Sequence, residues 1–121
     1  MIPIIIKDER WGEGMRYYRY LYLGEDIKKK KEKIIQRIET GKINFGIHIV
    51  VLPEGRNNQL EIYSGSQFLQ PDYPKPDFFV VGIVKGYEDA LELVEEIVKV
   101  VYNETKGADI RSYILRKEQE G

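Results

Sequence analysis

Residues 77–102, DFFVVGIVKGYEDALELVEEIVKVVY, constrain the fold more than any other stretch of the chain. Phe78 to Val84 is apolar at successive positions, so an extended segment there cannot leave either face in water. Lys85–Gly86 supplies a turn. From about Tyr87 to Glu104 apolar residues recur at helical spacing. Ala90, Leu91, Val94, Ile97, Val98 and Val101 line the predicted buried face, and Leu93 and Val100 widen it. Glu92, Glu95, Glu96 and Lys99 fall on the solvated side, and Gly107 marks the end. A doubly buried strand joined to a helix is the centre of an α/β-type core.

The remaining segments can be read around that unit. Ile2 to Ile6 is a short strand that Pro3 confines to an edge, and residues 1–14 form an N-terminal segment. Met15 to Leu23, MRYYRYLYL, is a strand by aromatic enrichment, with Tyr18, Tyr20 and Tyr22 on one face and Tyr17, Arg19, Leu21 and Leu23 on the other. Asp26 caps a predicted helix that carries Ile27, Ile34, Ile35 and Ile38 in a narrow stripe and stops at Gly41. Gly46 to Leu52 is a strand apolar on both faces, and it pairs as a hairpin with the alternating strand Gln59 to Ser64. Gly65 to Asp77 carries three prolines and is an extended connection. Ile110 to Leu115 is predicted as a last strand, followed by a frayed charged tail over 116–121.

This order, β-α-β-β-β-α-β, predicts a single α+β domain over 1–121. Its architecture is a two-layer sandwich of a mixed four- to five-stranded sheet and two helices. Two helices can lie one on each face or both on one face. The second arrangement is favoured because α+β domains segregate their helices, and it leaves one apolar sheet face to be covered by the N-terminal segment or by a second copy of the chain.

Composition narrows the chemistry. The chain has no cysteine, which removes disulfides, thiolate catalysis and Cys-ligated zinc, and it holds a single histidine, His48. Net charge is −1, with no overall pull toward nucleic acid or anionic membranes. The halves differ, with 12 Lys/Arg against 8 Asp/Glu in residues 1–60 and 7 against 12 in residues 61–121. No apolar run approaches the ~20 residues that span a bilayer, so a cytoplasmic protein is expected.

Candidate sites are few. Arg16, Tyr18, Arg19, Tyr20 and Tyr22 combine cations with rings that could stack on bases, although tyrosines are also ordinary strand residues. Lys28 to Lys31 and Lys33 are a solvated helix face or a docking site for an acidic partner. His48 is the one group that titrates near neutrality, and as a lone histidine in a strand it is first a packed side chain. Phe68 and Tyr73 mark the proline-rich connection as a possible clamp where it meets the tyrosine face. No spacing suggests a metal, a nucleotide fingerprint or a nucleophile elbow, and no cofactor is expected. The resulting expectation is a non-enzymatic protein-binding module, most simply a homodimer. The alternatives are a single-stranded nucleic-acid binder and a small-molecule protein or enzyme that uses His48.

Overall fold

The computed structural model describes residues 15–39, 46–53, 60–65 and 78–120. The elements are β1 (Met15–Leu23), α1 (Glu25–Lys28), α2 (Lys31–Glu39), β2 (Ile47–Leu52), β3 (Glu61–Ser64), β4 (Phe78–Lys85), α3 (Tyr87–Thr105) and α4 (Ile110–Glu120). The strands form one open mixed sheet of order β1-β4-β2-β3. β1 runs parallel to β4, while β2 is antiparallel to both β4 and β3. The hairpin β2–β3 and the central position of β4 match the sequence expectation. The predicted strand at Ile2–Ile6 lies outside the described residues.

Alternation along β2 separates two cores. Ile47, Ile49 and Val51 pack with Val80, Ile83, Ile27, Ile34 and Ile38 under α1 and α2. Val50 and Leu52 pack with Phe79, Val81, Leu93, Ile97, Val101, Ile110 and Ile114 under α3 and α4. Helices therefore cover both faces, and the favoured two-layer arrangement with one open face gives way to three layers. The reason lies in the C-terminal segment. Ile110, Tyr113 and Ile114 are spaced for one face of a helix, and Asp109 caps it: its carboxylate accepts from the Ser112 amide (3.0 Å) and hydroxyl (2.8 Å). The predicted last strand is thus helix α4, the charged tail is its second half, and a second helix joins α3 on that face.

The first predicted helix is also revised. It is broken into α1 and α2 at Lys29–Lys30, where the Lys30 amide turns back to Ile27 (2.9 Å) before the Ile34 amide resumes on Lys30 (2.9 Å). Consecutive lysines repel one another and meet the positive end of α2, which explains why the run sits at the break. Gly24, not Asp26, occupies the N-cap. At the end of α3, Lys106 rather than Gly107 takes the left-handed conformation (φ 61°).

Gly82 shows how tightly α3 is seated. A Cβ at this position would come to 2.4 Å from Leu93 Cδ2 and 3.4 Å from Tyr22. Here β4 carries one more residue than β2, which pairs Val50 with Gly82 and Val51 with Val80. We expect Gly82→Ala to cost about 1–3 kcal/mol by overpacking. Adding Leu93→Ala should make the double variant clearly more stable than the sum of the single losses, read from urea midpoints. Additive losses would contradict this contact. Asp109→Ala should cost about 1 kcal/mol in the same assay and Asp109→Asn much less; equal losses would mean the cap is not what holds α4.

Candidate functional site

β1 is an irregular edge. Between Tyr17 and Tyr22 it advances five positions while β4 advances two, from Val80 to Gly82. An amide released from the ladder in this way needs another acceptor. The Arg19 amide donates to the Glu118 carboxylate of α4 at 2.6 Å, and Arg19 Nε donates to the Glu118 carbonyl at 3.1 Å. Arg19 is therefore a staple between β1 and α4. Arg16 lies with its guanidinium 5.4 Å from the centre of the Phe79 ring.

Tyr18, Tyr20 and Tyr22 do share a face, as expected, but that face looks into the α3–α4 layer. Tyr18 is buried, with its ring 5.7 Å from Tyr20, 6.5 Å from Tyr22 and 6.0 Å from Phe79. Tyr22 is half-buried, and only Tyr20 is open to solvent. The cluster is a structural aromatic seam and offers one free ring. Tyr113 of α4 completes it and donates to Glu104 of α3 at 3.0 Å. Burial, then the bond to Glu104, pushes the Tyr113 phenol up to about 12. Burial raises Tyr18 and Tyr22 as well, with the nearby Glu96 and Glu104 adding to Tyr22. On the opposite face the Tyr17 hydroxyl is enclosed near the Glu39 carboxylate without a hydrogen bond of good geometry, and burial followed by that charge raises its pKa. A shallow groove of about 560 Å³ runs between Arg16, Tyr17, Phe79, Leu115, Glu118 and Gln119.

His48 is half-buried on the α3 side of β2, as its register predicted. Its ring lies 5.9 Å from that of Tyr87, and Nδ1 is 3.2 Å from the Gly46 carbonyl, an acceptor for an Nδ1 proton. Phe68 and Tyr73 lie outside the described residues. Among the described residues there is no group of three or more His, Asp or Glu side chains placed to hold a metal ion, and no helix is long and apolar enough to cross a membrane.

The feature that sequence reading missed is the outer flank of α3. Leu91 and Val98 were expected in the core, yet they are 43% and 37% exposed, and Tyr87 and Tyr102 are 55% and 56% exposed. At about 100° per residue these four and half-buried Val94 fall in one stripe roughly 80° wide. The stripe lies beside the buried arc of Ala90, Leu93, Ile97 and Val101, on the flank away from Glu104 and α4. The signal was present in the sequence: the apolar arc of this helix spans roughly 200°, more than one sheet face can bury. Next to the stripe stand Glu88, Glu92, Glu95 and Lys99, all exposed. On the opposite layer Lys28 to Lys31 and Lys33 are exposed, with Lys28 paired to Glu25 at 3.3 Å. The charge asymmetry of the two sequence halves thus becomes a basic outer layer and an acidic one.

Comparison with protein-family models finds no match, and comparison with curated proteins and with solved structures finds none either. The functional reading therefore rests on the geometry of the chain itself.

The buried phenols make one prediction about pH. A raised folded pKa means that folding favours the neutral form. Its contribution is fully present below the ordinary value of 10.0 and is lost as pH rises through about 12. Tyrosinate absorbance should lag behind that of free tyrosine and then rise together with loss of circular dichroism. Smooth ionisation of all nine tyrosines near 10.0 with the fold intact would contradict the burial described.

Proposed function

We propose that this chain is a non-enzymatic module that binds another protein, in the simplest case a second copy of itself, through the outer flank of α3. The observation that carries this reading is the stripe Tyr87, Leu91, Val94, Val98, Tyr102 on a helix whose other side already fills the core. Its four most open side chains leave on the order of 400 Å² of surface, within the range that marks interaction patches on small proteins. Together with the flanking charged residues the footprint approaches the ~800 Å² per partner of a stable pair. Tyrosines at both ends suit such a role, since each joins a large apolar ring to a polar tip. The interface expected from the sequence, an uncovered sheet face, is replaced by this helix flank, because both sheet faces are filled from within the chain. A cytoplasmic site of action fits a protein that has no cysteine and needs no disulfide.

The nucleic-acid alternative has less to stand on. Stacking needs several open rings in a basic setting, and here Tyr18 is enclosed while Arg19 is engaged with Glu118. An enzyme centred on His48 would need convergent polar groups, and among the described residues that ring meets a tyrosine and a backbone carbonyl.

Sedimentation velocity over a hundredfold concentration range tests the reading. The chain should shift from monomer to dimer, and Leu91→Ser with Val98→Ser should weaken the dimer at least about tenfold, roughly 1.4 kcal/mol, while leaving the fold unchanged by circular dichroism. Glu88, Asp89, Glu92, Glu95 and Glu96 stand against Lys99 on the exposed side of this helix, so added salt should tighten the pair by screening their repulsion. A monomer at every concentration, or a dimer indifferent to the double variant, would overturn the proposal.

A further inference from the structure

We infer that two copies of α3 pack antiparallel about a two-fold axis that passes between Val94 and Glu95. This inference rests on the self-association proposed above and adds the geometry of the pair. A two-fold interface must be its own complement, since the same patch serves both copies. In an antiparallel helix pair, residues equally distant from the axis on either side face one another. The stripe has that symmetry. Tyr87 lies as far before the point between Val94 and Glu95 as Tyr102 lies beyond it, and the same point bisects Leu91 and Val98. A tyrosine therefore meets a tyrosine at each end, and Leu91 of one copy meets Val98 of the other on both sides of the axis.

One cross-contact within the net acidic ridge, and the helix dipoles, point the same way. An axis normal to both helices keeps like flanks together, so the charged ridge of one helix runs beside that of the other. Lys99, the one cation among Glu88, Glu92 and Glu95, then lands beside Glu88 and Glu92 of the second copy. The two helix dipoles oppose each other, whereas a parallel pair would align them. Both sheets also stay on the same side of the helix pair, so neither copy has to move its core to form it.

Cysteine cross-linking tests the geometry, and a chain without native cysteine needs no background removed. Leu91→Cys and Val98→Cys are made as separate variants of different mass, mixed, and oxidised under mild conditions. The mixed disulfide should form at least about tenfold faster than either homodisulfide, because only the 91–98 pair is brought within the few ångströms a disulfide needs. In parallel, Lys99→Glu should weaken the wild-type dimer several-fold in sedimentation, and Glu92→Lys added to it should restore most of the loss. Homodisulfides that form as fast as the mixed species, or a Lys99→Glu change without effect on a dimer that still depends on Leu91 and Val98, would overturn the antiparallel arrangement while self-association stands. A wild-type chain that stays monomeric at all concentrations overturns both.

Discussion

Everything in this structure depends on the ladder between β2 and β4 being apolar on both of its faces. Ile49, Val50, Val51, Val80, Val81 and Ile83 are fully buried and lie side by side at the middle of the sheet. Each such side chain contributes roughly 1.5–3 kcal/mol only if something covers it. A sheet of this kind needs an apolar layer above and another below. The chain supplies them with α1 and α2 on one side and α3 and α4 on the other, and the two cores share nothing but the strands between them.

That demand explains details which are otherwise unconnected. α4 adds Ile110, Tyr113 and Ile114 to the α3 core that holds Tyr18 and Phe79. Glu118 then reaches the edge of β1 and takes up the Arg19 amide that the irregular ladder releases. Arg111 donates to the carbonyl of Pro53, which ties the start of α4 to the end of β2. Gly82 has no side chain because Leu93 occupies the place where a Cβ would stand. On the other face α1 and α2 break at their lysines, yet Ile27, Ile34 and Ile38 all stay buried. Packing decided which residues of that segment point inward, and charge decided where its helix is interrupted.

Much of this was legible in the residues. Strands 47–52 and 78–85, helix 87–105, the hairpin and the side of β2 that carries His48 all follow from apolar periodicity and turn residues, which are local signals. The misreadings share a different origin. Ile110 to Leu115 contains enough β-branched and aromatic residues to resemble a strand, and only Asp109 with Ser112 reveals the helix cap. That choice then fixed the number of layers: with a strand at the end of the chain two helices must share the work, and with a helix there each face has two. Leu91 and Val98 were assigned to the core because spacing alone does not say how wide an arc the sheet can accept. Rings in the core or at a subunit interface are the first reading of the tyrosine face, and Tyr18 is indeed buried; what nothing local to MRYYRYLYL reports is that α4 is the element that returns to cover it.

The central claim is that both sheet faces are covered from within one chain, while the outer flank of α3 keeps Tyr87, Leu91, Val98 and Tyr102 open to solvent. Methyl nuclear Overhauser spectroscopy on a dilute sample tests it most directly, with half of the molecules isotope-labelled. The account predicts contacts within one molecule from Ile27, Ile34 and Ile38 to Ile49, Val80 and Ile83, and equally from Ile97 and Ile114 to the opposite face. Contacts from Ile49, Val80 or Ile83 that appear only between a labelled and an unlabelled copy would contradict it, since that face would then be covered by a partner.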